Sequence, residues 1–361
     1  MVRFILRLAA KILSVGLFLL TLAAAWGGHI SPHIWATPSI LALILPYLGM
    51  ATAAVTVCWG IARKIVMTAL GVLTLVASIG SLSEAVPFGS ENKPEGGVQF
   101  TLLTYNMMHG IDYSDPTSGA GTTLRYILHS GADIAVLQEM SGLSTSELPN
   151  TPPDLIDSLK ATYPYRLIDR ANYLSVLSRF PIGYSRATNP KTSYDCIYTV
   201  DIQGHRLTLV NTHLESYRFS DNERDVVSDI HSVGSAKSSL KRFKGSILSK
   251  MKQSFRIRAD ESQQLRRQLD SLPDPVIVCG DFNDVPTSWA YRKIKDDDFR
   301  DAFSETNFGH RITYHAHRMY FHIDQMLYRG DIRPISVKRI REGASDHWPL
   351  LAEFEFTGKR L

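Results

Sequence analysis

Val276-Ile277-Val278-Cys279-Gly280-Asp281-Phe282-Asn283 is the stretch on which the reading of this chain turns. Pro273 and Pro275 precede four apolar residues and Gly280 follows them, the pattern of a short buried strand bounded by turn signals. Asp281 and Asn283 stand two apart and so share a side at the strand's mouth. One is an acceptor-only carboxylate, the other a carboxamide that both donates and accepts. Alone, such a pair more often closes a turn on its own backbone, so its meaning depends on what other strand ends supply.

From residue 98 onward, short apolar strands alternate with helical stretches. Residues 98–105 read as a strand ending at Asn106, 122–130 as a helix stopped by Gly131, and 134–137 as a strand ending at Gln138-Glu139. Residues 174–177 lead into Ser178-Arg179-Phe180-Pro181. A hairpin over 196–202 and 206–211 turns at Gln203-Gly204 and ends at Asn211-Thr212-His213. A charged helix over 255–272 precedes the opening strand. After it come a strand over 322–328 containing Asp324, another over 335–340, the run Ser345-Asp346-His347-Trp348-Pro349, and a last strand over 350–356. Strands that each end on a polar group predict a two-layered β core with helices outside and loops gathering one site at one edge.

That site would hold Glu139, Asp281, Asp324, Asp346, Asn106, Asn283, His213 and His347. Each alone has an ordinary explanation as a cap, a solvated charge or a core histidine. Oxygen ligands without thiolates suit a hard cation such as Mg²⁺, and an imidazole beside a carboxylate suits a general base. Together they point to metal-assisted hydrolysis of a phosphate ester. No nucleophile elbow and no glycine-rich phosphate loop competes with that reading.

Thr104-Tyr105-Asn106, Leu137-Gln138-Glu139, Leu177-Ser178-Arg179-Phe180-Pro181, Asn211-Thr212-His213-Leu214, Gly280-Asp281-Phe282-Asn283, Ile323-Asp324 and Ser345-Asp346-His347-Trp348-Pro349 resemble, in order, the motifs of the endonuclease/exonuclease/phosphatase (DNase I-like) family. The resemblance covers about residues 98–357. It implies a four-layered α/β sandwich, an Mg²⁺ (or Mn²⁺) ion held by Glu139 with Asn106 and Asp346, and His347 as general base oriented by Asp324. It further implies that Asp281 and Asn283 position the nucleophile and phosphoryl oxygens, and that His213 donates to the phosphate. Arg179 is a candidate phosphate contact or an edge salt bridge. Where the family often carries Gly-Asn, this chain has Tyr173-Leu174. Whether Asp112 or Asp115 joins the metal is open at this level.

Ahead of this domain, residues 1–85 are almost wholly apolar. Three runs, 4–26, 39–61 and 65–82, are long enough to span a membrane, and a cleaved signal peptide is the alternative for the first. Arg3, Arg7, Lys11, Arg63 and Lys64 mark the cytoplasmic ends by the positive-inside rule, so residues after 82 face outward. The expected organisation is a three-helix transmembrane region (1–85), a linker (86–97) and a catalytic domain (98–361). Residues 83–97, rich in Pro and Gly, read as a flexible tether.

The net charge of +4 over 361 residues is too mild to imply nucleic acid by itself, and three cysteines make neither a disulfide framework nor a zinc site. Residues 236–258 hold eight Lys or Arg and no acid, which fits either an anionic-surface contact or an ordinary amphipathic helix. The expected partners are membrane lipids, through the N-terminal helices, and a phosphate-ester substrate: a lipid headgroup, nucleic acid or a soluble phosphate. Anchoring favours a lipid-like phosphodiester. A surface DNA nuclease is the enzymatic alternative, and an inactive membrane-tethered binding module the alternative of another class.

Overall fold

The computed structural model describes residues 1–115, 117–187, 195–220, 223, 243–310 and 312–358. Residues 236–242 of the basic stretch lie outside these. Two six-stranded sheets face one another. One has the order β11 (Ile332–Arg339), β12 (Leu350–Phe356), β1 (Gln99–Asn106), β2 (Ile134–Gln138), β4 (Leu174–Ser178), β3 (Tyr165–Asp169). The other has the order β5 (Ile182–Ala187), β6 (Asp195–Ile202), β7 (His205–His213), β8 (Val276–Asp281), β10 (Asp324–Arg329), β9 (Arg300–Asp301).

The opening stretch is β8, and its unbroken apolar run follows from burial on both faces. Ile277 and Cys279 join the core between the sheets, against Phe100, Leu102, Val136 and Val176. Val276 and Val278 point the other way, beneath Leu265, Leu269, Tyr291 and Ile294 of helices α8 (Leu248–Leu269) and α9 (Trp289–Lys295). The first sheet is covered likewise. Leu103, Tyr105, Ala135 and Leu137 pack under Leu124, Ile127, Ile156 and Leu159 of α6 (Gly121–His129) and α7 (Pro153–Thr162). Helix, sheet, sheet and helix make a layered α/β sandwich.

Strand direction then assembles the site. β1 runs parallel to β2, with Asn106 beside Gln138, and β7 runs parallel to β8, with His213 beside Asp281. Antiparallel β10 contributes its first residue, Asp324, opposite Asp281. Beneath them a buried amide pair fastens the sheets: Gln138 Nε2 donates to Asn211 Oδ1 (2.8 Å), and Asn211 Nδ2 donates to the Leu137 carbonyl (3.0 Å).

Of the three apolar runs, only the first is a single helix of spanning length, α1 (Val2–Gly27). The second divides into α2 (Thr37–Ala42) and α3 (Leu45–Ile61). The cause is Pro46, which has no N–H to give the Ala42 carbonyl and whose ring would clash with it in a continuous helix. Thr287 Oγ1 donates to that carbonyl instead (3.2 Å). The third run bends by 61° between α4 (Ile65–Ala77) and α5 (Ile79–Ala85), at a Ser78–Gly80 junction of the kind that kinks helices. The Thr21–Thr52 hydroxyl pair (2.7 Å) and the Trp59 Nε1 to Ser14 bond (2.9 Å) set α1 and α3 antiparallel.

Residues 83–97 are not a loose tether. Gly89 and Asn92 donate their backbone N–H groups to Asn307 and Ile335, each at 2.8 Å. Glu355, 1% exposed, accepts from Glu95 N (2.9 Å), Gly97 N (2.6 Å) and Arg333 Nη2 (2.8 Å). Burial would raise this carboxyl, but those donors outweigh it and hold it at about 2. A segment rich in Pro and Gly can be fixed by its partners' hydrogen bonds, which composition does not register.

Candidate active site

Asn106, Glu139, His213, Asp281, Asn283, Asp324, Asp346 and His347 come together at the edge where β1, β2, β7 and β8 end and β10 begins. Asp281 is the hub. Its Oδ2 accepts from Asn106 Nδ2 (3.0 Å) and lies 3.7 Å from His213 Nε2 and 3.6 Å from His347 Nε2; its Oδ1 accepts from Asn283 N (2.7 Å). His213 Nε2 is equally 3.7 Å from Glu139 Oε1, and Asn106 Nδ2 also donates to Glu139 (3.1 Å). His347 donates from Nδ1 to Asp324 Oδ2 (2.9 Å), which leaves Nε2 facing the cleft and Asp281. Asp324 is in turn steadied by its backbone N–H, which donates to Thr313 Oγ1 (3.1 Å).

Local backbone makes these placements possible. Gly280 has φ 140°, and a Cβ there would stand 2.0 Å from the Thr212 carbonyl of β7, so only glycine lets β8 run on to Asp281 beside its parallel neighbour. Glu139 and Asn283 both sit in the left-handed region, at φ 56° and 51°. Such conformations cost roughly 1–3 kcal/mol and gather at functional sites. Ser345 locks the last motif to β1: its Oγ donates to the Asn106 carbonyl (2.7 Å) and its N–H to the Tyr105 hydroxyl (3.2 Å). Asp346, half-buried next to it, lines the cleft with His347.

Burial drives the Asp281 carboxyl up to about 6, the His347 and His213 charges only partly offsetting it. Burial would lower His347, but the Asp324 and Asp281 carboxylates outweigh it and hold the imidazole well above its usual value. For Glu139, too, burial opposes the charge, yet His213, His109 and Asn106 keep its carboxyl below the ordinary range. Asp281, Asp324 and His347 each offer a ligand atom within 4.8 Å of the others, and Glu139 stands across from them. An oxygen-rich, thiolate-free set whose central carboxylate is destabilised by burial fits a hard divalent cation. Asn106 as placed bridges the two carboxylates through Nδ2, while its Oδ1 accepts from Met108 N (3.0 Å); its amide must turn over to present oxygen to an ion.

Arg179 is not part of this assembly. It follows β4, which runs antiparallel to β2, so it emerges at the opposite end of the sheet, 3.4 Å from Asp133. The phosphate contact is corrected to the edge salt bridge. Asp112 and Asp115 cap their own turns, accepting from Ser114 and Thr117. One group escaped the sequence reading: His109 Nε2 lies 3.4 Å from Glu139 Oε2, in a turn where Met108 and His109 are both left-handed (φ 48° and 54°). Its only sequence signal is its position three residues after Asn106.

Arg258, counted above among the basic residues, is fully buried beneath the site. Its Nε donates to Asp284 (3.0 Å) and its Nη1 to the Glu215 carbonyl (2.8 Å), with the Tyr217 and Phe255 rings at 4.6 and 4.7 Å. It pins together the two loops that follow His213 and Asp281.

Solved structures similar to this chain include the following three. An endonuclease/exonuclease/phosphatase from Beutenbergia cavernae is 18% identical, with TM-score 0.46, over 72% of this chain and 72% of that one. The human Nocturnin catalytic domain is 17% identical, TM-score 0.45, over 72% and 96%. Sphingomyelinase C from Streptomyces griseocarneus is 17% identical, TM-score 0.41, over 71% and 99%. No curated protein matches the chain. The family model described as endonuclease/exonuclease/phosphatase matches residues 103–347, a span that opens within β1 and closes on His347, and the chain belongs to that family.

Proposed function

We propose that this protein is a membrane-anchored hydrolase of phosphate esters, dependent on Mg²⁺ or Mn²⁺, in which His347 activates water. The observation that carries the reading is the His347–Asp324 pair at 2.9 Å, its free imidazole nitrogen directed at the Asp281 carboxylate with Glu139 and Asn106 across the cleft. Glu139, Asp281 and Asn106 would hold the cation with Asp346 alongside. When bound, the cation would supply charge neutralisation on the phosphoryl oxygens.

The remaining work falls to the chain itself. Asp324 fixes the tautomer of His347; with the Asp281 charge taken up by the cation the ring would be neutral, and its Nε2 would take the proton of the attacking water. Asp281 and Asn283 orient that water and the phosphate. His213, facing both carboxylates, donates to the oxygen on which charge develops. Displacement is in line, with water as the nucleophile.

Membrane anchoring is supported by apolar side chains that α1, α3 and α4 leave facing outward, among them Phe4, Leu13, Ile61, Val66 and Leu73, each more than 60% exposed. In water such surface would be costly. The antiparallel packing of α1 and α3 sets Arg7 and Lys11 toward the same end as Arg63 and Lys64. Contacts with the sheet domain come from the other end, through Pro32, His33, Ala42, Ser81 and Glu84. By the positive-inside rule the domain is extracytoplasmic. A lipid or lipid-like phosphodiester is favoured as substrate over DNA.

The test uses the full-length protein in detergent with bis(p-nitrophenyl) phosphate. Turnover is expected with Mg²⁺ or Mn²⁺, to be lost on adding EDTA and restored by excess cation; turnover indifferent to EDTA, or none at all, would overturn the reading. Phospholipid vesicles are expected to be hydrolysed faster than plasmid DNA is nicked, and the reverse order would make the protein a nuclease. Orientation is checked with a reporter fused after Leu361 that is active only outside the cytoplasm; a silent reporter on an expressed, folded fusion contradicts the outward placement.

A further inference from the structure

The cleft above Glu139 and His347 has a volume of about 140 Å³ and opens to solvent. Its polar floor is accounted for by the phosphoester chemistry proposed above. Its wall is not. Leu43, Phe219, Tyr314, Met319, Phe321 and Ile323 line the same space, and none can contact a phosphate except through carbon or, for Tyr314, one hydroxyl.

Leu43 is the informative member, because it belongs to the N-terminal segment. It sits at the break that Pro46 forces between α2 and α3, where it packs with Ile247, Met251, Phe255, Val285 and Ile323. The break is held against the site loops. Thr287 donates to the Ala42 carbonyl next to Leu43, and Arg292 pairs with Glu84 and donates to Ser81 (3.0 Å). Gly28 lies so close to this loop that a Cβ would come within 1.9 Å of the Thr287 carbonyl. The anchor and the catalytic cleft therefore share residues.

A second, much smaller cavity of about 10 Å³ lies beside the first. It shares Leu43 and Phe321 with the cleft and extends to Pro46, Tyr47 and Tyr320. Tyr47 and Tyr320 are 49% and 46% exposed, and Ile44, beside Leu43, is 42% exposed. Apolar and aromatic side chains thus follow one another from the wall of the cleft to the outer end of the helical bundle, where α3 begins. Aromatic side chains of this amphipathic kind suit the bilayer interface.

Resting on the phosphoester-hydrolase reading, we infer that the break between α2 and α3 forms an apolar subsite for the hydrocarbon arm of a bilayer lipid carrying the scissile phosphoester. The N-terminal segment then has two functions, anchoring the enzyme and binding the substrate. The lipid enters from the membrane along Tyr47 and Leu43 and need not leave the bilayer completely before its phosphate reaches Glu139 and His347. The occupant is a membrane lipid rather than nucleic acid, since Leu43 brings the membrane-anchoring segment itself into the wall of the cleft.

The test compares two water-soluble phosphodiesters with the same p-nitrophenyl leaving group, one bearing a methyl and the other a pentyl substituent, four methylenes longer, with full-length protein in the same detergent. Burial of four methylenes predicts a kcat/KM ratio of about 100 in favour of the long chain. Leu43→Gln and Leu43→Trp, one polar and one filling the subsite, are each expected to lower that ratio by about tenfold, whereas Leu73→Gln, on the exposed face of α4, leaves it as in the wild type. A wild-type ratio near one, or a ratio in both Leu43 variants equal to that of the wild type, overturns the inference. Absence of turnover on the methyl ester in wild-type protein counts instead against the hydrolase reading, so the two failures are separable.

Discussion

His347→Ala is expected to lower kcat on bis(p-nitrophenyl) phosphate by about 10³-fold with little change in KM. In the proposed mechanism the imidazole would act on the attacking water and not on the resting substrate, so its loss would raise the barrier without weakening binding. Asp324→Asn should cost less, roughly 10–100-fold, because the amide can keep the ring in place but no longer stabilises its charge once the proton is taken. Steady-state kinetics on folded protein decides the matter, with near-ultraviolet circular dichroism as the fold control. A His347→Ala variant retaining a tenth of wild-type kcat would remove the residue from the mechanism and leave Asp281 as the next candidate base.

Arg258→Met is the substitution expected to cost most in stability. Arg258 and Asp284 are buried together, and removing one partner leaves a charge that neither water nor another cation can reach. Breaking such a pair costs about 3–5 kcal/mol, a fall in melting temperature of roughly 10 °C for a domain of this size. Adding Asp284→Leu should recover much of the loss, since two apolar side chains carry no desolvation penalty. The single variant should also turn over more slowly, because the loops after His213 and Asp281 lose their common pin. A shift below about 2 °C would show that solvent reaches the pair and that the loops are held by other contacts.

Much of the site could be read directly from the chain. The β8 run betrays its two buried faces by having no polar alternation, and its exit carries Asp281 and Asn283 because a strand must hand over to a loop where polar groups find partners. The same holds for Asn106, Glu139 and His213. The residues left open or missed share a different property. Arg179 follows a strand end like the others, but β4 runs against β2 and carries it to the far edge. Arg258 lies on a charged helix whose pattern does not distinguish a solvated guanidinium from one buried on a carboxylate. His109 reaches Glu139 through two left-handed residues that are not glycine.

The N-terminal segment shows the same division. Hydropathy marks 39–61 as one run, while Pro46 breaks it and turns Leu43 toward the catalytic cleft. The sequence by itself determined the strands, their buried faces and the kinds of chemical group at their ends, because periodicity and backbone hydrogen bonding are local demands. Only the tertiary structure decided which strand ends meet, which charges are buried in pairs, and that a residue of the apolar segment lines the site. Those depend on strand direction and long-range packing, which bring together positions as distant as Leu43 and His347 and leave no mark in the spacing of either.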